Sequence, residues 1–403
     1  MKPGLQRLLD DAGAKRVLDA LGDGPDVARF VGGAVRDALL DRPLHDIDIA
    51  TSWLPEETLA LLDTAGIKAV PTGLKHGTIT AVVNGRGIEV TTLRLDVATD
   101  GRHAEVGFTD DWRADASRRD FTMNALSLDR SGDLHDYFGG QDDLTARRVR
   151  FIGVAGTRVR EDYLRILRFF RFFAWYGEGV PDETALTACA DCRERLQRLS
   201  AERIRVEILK LLAAPRPLRA IQAMADIGVL AELLGQAASP SGLAMLLPIE
   251  LEADPLLRLA ALSPGDKAHM LSIAECLRLS NAERRRLTDL ALPLDDLNAT
   301  PEVALHRLGA DLYRQRALLS AAIEGGPYEE RMVAADAWTP QQFPIAGRDL
   351  LALGIPKGPD VGELLSVLET WWMTGGFRAQ KADILAEAKV RIGRPAAANG
   401  DKI

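Results

Sequence analysis

The stretch from Phe30 to Ala50, FVGGAVRDALLDRPLHDIDIA, constrains this chain more than any other. A short β-like run ends at the paired glycines Gly32 and Gly33. An amphipathic segment follows, and a second β-like run contains Asp46-Ile47-Asp48-Ile49. That order reads as strand, turn, helix, strand. Alternate side chains of a strand share a face. Ile47 and Ile49 therefore face a core, while Asp46 and Asp48 project together on the other side. Two carboxylates held this close repel unless a cation sits between them, and hard oxygen ligands suit Mg²⁺. A glycine turn ahead of a helix offers backbone N–H groups to phosphate, with Arg36 and Asp37 just beyond it. A phosphate cradle beside metal carboxylates points to phosphoryl or nucleotidyl transfer.

Up to about residue 145 the chain alternates β-like runs with helices. ARFV, DIDIA, GTITAVV and GIEVTTLRL are the strand candidates, and Asn84-Gly85 between two of them is a hairpin signal. Pro55 opens a helix, with Thr51 or Ser52 placed to help begin it. The expected sheet is mainly antiparallel or mixed. Beyond about residue 150 the pattern becomes successive Leu/Ala-striped helices broken by prolines. The expected fold is an α+β head followed by all-α segments.

At 403 residues the chain has room for two or more domains. With 47% hydrophobic and 27% charged residues it reads as globular. No apolar run approaches the roughly 20 residues that span a bilayer, and the first residues read as an amphipathic helix. The expected compartment is the cytoplasm. Three cysteines argue against a disulfide scaffold. Cys189 and Cys192 read as two small thiols in a helix, and no zinc is expected. The net charge of −8 does not suggest a nucleic-acid binder. Residues 147–219 carry 16 Lys or Arg against 9 Asp or Glu, an asymmetry compatible with a basic groove on an acidic protein, or with arginine-rich helices that are merely solvated.

Two further patches carry chemistry. In Arg118-Arg119-Asp120-Phe-Thr-Met-Asn124, arginine forks suit phosphate oxygens and the amide suits a ribose hydroxyl. The same residues could simply begin a helix with exposed arginines. Glu89, in Ile-Glu-Val-Thr-Thr, could be a third carboxylate that helps bind metal or takes a proton. It could equally be an outward-facing strand residue. In EDYLRILRFFRFF, a helix starting at Glu161 would place Asp162, Arg165, Arg168 and Arg171 along one half of its surface. Cytosine and adenine both show an amino donor beside a ring-nitrogen acceptor, whereas uracil and guanine show the reverse. An Asp–Arg pair can accept the first two and reject the others. The bland alternative is an i,i+3 salt bridge on a solvated helix.

GGAVRD…DIDIAT, RRDFTMNAL, DYFGGQDDLTARRVR, EDYLRILRFFRF and LSAERIRVEILKLL, in this order over roughly residues 28–210, resemble the tRNA nucleotidyltransferase and poly(A) polymerase family. The resemblance implies a polymerase-β-like nucleotidyltransferase head (1–145), a base-recognising neck (146–215), a helical body (216–300) and a helical tail (301–403) that meets tRNA. It implies that Asp46 and Asp48 bind the metals, with Mg²⁺ as cofactor. Gly32, Gly33, Arg36 and Asp37 would serve the incoming triphosphate, and Arg118, Arg119, Asp120 and Asn124 phosphate and ribose. Asp162 and Arg165 would read the base, with Arg168 and Arg171 in support. Ser200-Ala-Glu202-Arg203 matches a neck motif that steadies the reading helix, with Ser200 as its N-cap.

Thr72-Gly73-Leu-Lys-His76-Gly77-Thr resembles the branch of that family that adds CCA, and no GKRF-like stretch of the bacterial poly(A) polymerases stands there. Asp100-Gly101-Arg102 resembles the loop of full CCA-adding and A-adding enzymes, with Arg102 as its lever. The implied reaction adds C, C and A from CTP and ATP to a tRNA 3′ end. Addition of A alone, poly(A) synthesis, a catalytically inactive RNA-binding protein and a small-molecule nucleotidyltransferase are the alternatives. Residues 345–362 resemble a tail element that could meet RNA backbone, or form a plain helix–turn–helix. No HHxxHD-type cluster occurs, so no fused phosphohydrolase domain is expected.

Overall fold

The computed structural model describes residues 2–44, 46–100 and 103–392, apart from the side chains of 96–106 and 296. It divides into two compact units. One contains residues 1–240, 253–255 and 275–279, and the other residues 241–252, 256–274 and 280–403.

The first unit opens with helices α1 (Pro3–Leu9) and α2 (Ala12–Leu21). Strand β1 (Ala28–Val31), helix α3 (Gly33–Leu39) and strand β2 (Asp48–Thr51) follow, the order expected from the glycine pair. Helix α4 (Pro55–Thr64) leads into strands β3 (Lys68–Gly73), β4 (Thr78–Val83) and β5 (Arg86–Thr92). With β8 (Ser127–Leu128) and β9 (Leu134–His135) they form a seven-stranded mixed sheet ordered β3-β4-β5-β2-β1-β8-β9. Strands β6 (Arg94–Asp100) and β7 (His103–Phe108) make a separate two-stranded ribbon. Ile49, Ile79, Ala81, Ile88 and Val90 are buried, as the two-residue period requires, and α2 and α4 pack against this part of the sheet.

Two pairings place the site. Asn84 and Gly85 adopt φ of 53° and 77°, the left-handed pair a tight hairpin turn demands, and β4 registers on β5 with Thr80 opposite Glu89. Strand β2 then pairs with β5 in parallel, Asp48 beside Glu89.

Helices α5 (Trp112–Ser117) and α6 (Gly140–Thr145) complete the head region, and α7 (Ala155–Glu161), α8 (Leu164–Tyr176), α9 (Glu183–Cys192) and α10 (Ala201–Leu212) follow. Helix α8 is fixed by aromatic rings. Phe151 lies 4.8 Å from Phe121 and 5.8 Å from Phe169, and Phe121 lies 5.1 Å from Phe172. Each fully buried ring contributes about 2–3 kcal/mol.

In the second unit, helices Gly347–Leu351, Pro359–Thr374 and Lys381–Ile392 close on a core of Leu350, Leu368, Trp372 and Ile384. The 345–362 segment is helix, turn, helix, with Gly354 at φ 90° in the turn.

The α+β head followed by helices is as expected, and so is the N-cap position of Ser200, but two local expectations fail. Neither Thr51 nor Ser52 begins α4. Leu54 is the N-cap, its N–H donating to Glu57 at 2.9 Å, while the Thr51 hydroxyl accepts from the N–H of Trp53. Ser200 occupies the N-cap of α10, but its side chain makes no capping bond. Residues 161–173 are not one helix. Asp162 is extended, φ −152°, between α7 and α8, because its carboxylate takes the N–H of Leu164 at 3.1 Å.

Candidate active site

Asp48 opens β2 and is half-buried, with Ile47 buried behind it and exposed Asp46 just ahead of the strand. The parallel register puts Glu89 at its side. Burial first, then the charges of Glu89 and Asp46, push the Asp48 carboxyl above its ordinary value, against the pull of Arg119. These charges repel one another, as expected for carboxylates arranged to share a cation.

Asp48 and Glu89 stand on the wall of an open cleft of about 620 Å³. Gly32, Gly33, Arg36, Arg118, Arg119, Asp120 and Asn124 line it from the head, and Asp162, Arg165 and Arg168 from α8 and the break before it. Three expected residues stand elsewhere. Asp46 is off the wall beside Asp48. Asp37 lies behind Arg36, bound to it through two contacts of 3.0 and 2.9 Å. Arg171 donates to buried Glu207 at 2.6 Å. Arg102 lies outside the described residues.

The glycine turn is tight for a visible reason. Gly32 has φ 67° and ψ −126°, and a Cβ there would come within 3.0 Å of Arg119 Nη1. Its N–H donates to the Leu126 carbonyl and is not available to a phosphate. Arg36 Nη1 donates to Asn124 Oδ1 at 2.7 Å. Arg118 and Arg119 both lean on buried Asp115, at 2.7 and 3.2 Å. Burial pushes Asp115 up, but the two arginines outweigh it and hold its carboxyl below the usual range.

Asp120 does not reach into the cleft as a free carboxylate. It accepts from Phe121 N–H, Asn124 Nδ2 and Arg168 Nε at 2.7–3.0 Å. Burial raises its pKa, yet these partners, Arg168 foremost, bring it below the ordinary value. Asp162 and Arg165 are not an ion pair with each other. Asp162 takes Arg203 Nη2 at 2.6 Å. Arg165 Nη1 is held by Glu161 and the Arg158 carbonyl, and its Nη2 donates to the Arg118 carbonyl at 3.2 Å. Each is thus fixed separately, with hydrogen-bonding capacity left over.

Thr78, Thr91, Arg94 and Phe172 also line the cleft and are not among the expected site residues, and Arg203, whose motif implies support for the reading helix, lines it too. Thr91 was findable, two positions from Glu89 on the same strand face. Nothing local marked Asp115 beyond its spacing of three and four from the arginines.

Among the described residues no group of three or more His, Cys, Asp or Glu could hold a metal alone.

An α+β head with a carboxylate pair facing an arginine-lined cleft defines a nucleotidyltransferase. Residues 28–150 match the family described as the Poly A polymerase head domain, and residues 181–239 the "Probable RNA and SrmB- binding site of polymerase A". The mitochondrial CCA tRNA nucleotidyltransferase 1 of Mus musculus is 35% identical, over 96% of this chain and 92% of that protein. The CCA-adding enzyme of Geobacillus thermodenitrificans is 34% identical, over 96% and 97%. The crystal structure of the Bacillus stearothermophilus CCA-adding enzyme in complex with CTP superposes with a TM-score of 0.78 at 30% identity, covering 97% of this chain and 98% of that one. The chain belongs to the CCA tRNA nucleotidyltransferase family, as its motifs suggested. The family is one of divalent-metal-dependent enzymes, and no described helix is long and apolar enough to cross a membrane.

Proposed function

We propose that this chain adds C, C and A, from CTP and ATP, to the 3′ end of tRNA, releasing pyrophosphate. The observation that carries the reading is a single cleft whose one wall holds Asp48 and Glu89 and whose other holds Asp162 and Arg165. The near-full-length similarity to CCA-adding enzymes supports it.

The chain's own groups divide the work. Arg36, Arg118 and Arg119 surround the triphosphate with donors fixed by Asn124 and Asp115. Asp162 keeps lone pairs on both oxygens after binding Leu164 N–H and Arg203, so it can accept from the amino group of cytosine or adenine. Arg165 keeps its Nε–H and one Nη2–H to donate to the ring nitrogen. Uracil and guanine would set donor against donor and acceptor against acceptor there, so selection needs no template strand. Asp46 and Asp48 would hold the divalent cation, for which Mg²⁺ is proposed, with Glu89 beside Asp48 as a proton acceptor. That cation, when bound, would supply charge neutralisation at the phosphates and acidify the attacking 3′-hydroxyl. The second unit, with its 345–362 turn, is proposed to grip tRNA, and the sparse thiols fit action in the cytoplasm.

Primer extension with Mg²⁺, CTP and ATP tests this on three tRNA transcripts, ending before the CCA, after C and after CC. Completion of all three followed by a stop is expected. Extension of the CC-ended transcript alone would make this an A-adding enzyme, and long A tracts a poly(A) polymerase. No extension at all would favour an RNA-binding protein.

A further inference from the structure

A closed ring of side chains joins the two walls of the cleft. Tyr176 Oη donates to Asp37 Oδ1 at 3.1 Å. Asp37 grips Arg36 through two bonds, and Arg36 passes to Asn124 at 2.7 Å. Asn124 donates to Asp120 at 3.0 Å, and Asp120 accepts from Arg168 at 2.7 Å. Arg168 and Tyr176 both belong to α8, eight residues apart, so the ring leaves and rejoins the same helix face. Phe172 stands midway between them. The guanidinium carbons of Arg36 and Arg168 each lie 5.3 Å from its ring centre.

Tyr176 touches Arg36 in two ways. Its hydroxyl orients the carboxylate that holds Arg36, and its ring lies 4.2 Å beneath the Arg36 guanidinium. Arg42 stacks on the same ring at 4.5 Å and donates to the Trp175 carbonyl at 3.0 Å. Tyr176 also stacks on Phe172, centroids 5.8 Å apart. Asp37 and Tyr176 do not line the cleft. Arg36 does line it, and it keeps two N–H groups beyond those used in the ring.

We infer that Tyr176 and Asp37 are positioning residues that hold the phosphate-facing Arg36 in register with the base-reading end of α8. Rigid support of this kind keeps a binding group within the sub-ångström tolerance of productive geometry. The inference rests on the nucleotidyl-transfer reading above and adds to it a link between base selection and triphosphate placement. A base seated wrongly against α8 would, through this ring, misplace the arginine that must meet its phosphates.

The test compares wild type with Tyr176→Leu, Tyr176→Phe and Asp37→Asn in the full chain, following thermal unfolding, CTP binding by calorimetry and single-nucleotide incorporation. Tyr176→Leu is expected to lower kcat by about tenfold or more, weaken CTP binding, and raise the share of U and G incorporated. Tyr176→Phe keeps the stack and should recover most of the loss. Because hydroxyl and carboxylate act through one bond, Tyr176→Phe combined with Asp37→Asn should cost no more than Asp37→Asn alone. A folded Tyr176→Leu protein with unchanged binding and selection would overturn the inference, as would strict additivity of the double variant. Should Tyr176→Leu fail to fold, the Phe and Asn variants decide. Wild type that binds CTP but extends no primer would instead sink the activity assignment. The binding comparison would still decide the role of Tyr176.

Discussion

Arg203 Nη2 lies 2.6 Å from Oδ2 of Asp162, joining the first turn of α10 to the break between α7 and α8. The pair is about a third exposed on each side, so its worth to stability is small. For the base-reading role proposed for Asp162 its value is directional. A carboxylate in that role must present its remaining lone pairs at a fixed angle, and the Leu164 N–H with Arg203 sets that angle.

Arg203→Ala should therefore leave the melting temperature nearly unchanged while relaxing the preference for C and A. A loss of discrimination of about tenfold, on the order of 1.4 kcal/mol, is the expected scale. Incorporation ratios for the four nucleoside triphosphates measure it directly. An unaltered ratio in the folded variant would mean that Arg203 does not orient the reader.

Gly32→Ala should be damaging out of proportion to its size. The backbone there has φ 67° and ψ −126°, a conformation that costs a side-chain-bearing residue about 1–3 kcal/mol. The new methyl would also press on Arg119 Nη1. Chemical denaturation gives the first effect. A rise in KM for both CTP and ATP gives the second.

Asp48→Asn should separate stability from activity. The folded-state pKa of Asp48 is raised, by burial first and then by Glu89 and Asp46. A raised carboxyl pKa means that the charged form is disfavoured in the fold. The penalty is present above the folded pKa and vanishes below the ordinary value of 3.8. The variant should thus melt higher than wild type at pH 7, lose that advantage as pH falls toward 3.8, and incorporate no nucleotide. A divalent cation should raise the melting temperature of wild type more than that of the variant.

Asp120 predicts the opposite pH behaviour. Burial raises its pKa but Arg168, Asn124 and the Phe121 N–H more than compensate, so the net shift is downward. A lowered carboxyl pKa contributes stability that is complete above 3.8 and lost as pH falls through the folded value. Denaturation midpoints should drop with acid in wild type over that window. In Asp120→Asn the midpoint should be lower at pH 7 and the acid-dependent drop smaller.

What was legible in the sequence was whatever local rules decide. The Gly32-Gly33 turn, the Asn84-Gly85 hairpin and the alternation around Ile47 follow from backbone freedom and a two-residue period. The position of Asp162 was not legible. A helical period runs unbroken through EDYLRILRFFRFF, and only the carboxylate's bond to Leu164 N–H, with Arg203 arriving from 41 residues on, favours the break. The resemblance implies nucleotide contact for Asp37 and Asp120. The carboxylate of Asp37 holds Arg36, and that of Asp120, on the cleft lining, holds Asn124 and Arg168. Asp115 escaped notice because its function exists only once Arg118 and Arg119 fold back over it. The parallel partnership of β2 with β5 joins segments some forty residues apart, and pairing between remote strands leaves no local trace.

That last partnership makes a distant turn into a length standard. Glu89 reaches Asp48 because β5 enters the sheet at one register, and the two-residue turn at Asn84-Gly85 sets that register against β4. Lengthening the turn by one residue would invite a one-step slip, and in a strand one step turns every side chain to the opposite face. Glu89 would point into the core and Val90 into the cleft. The spacing of the acidic wall is therefore measured out by two residues that stand outside the cleft.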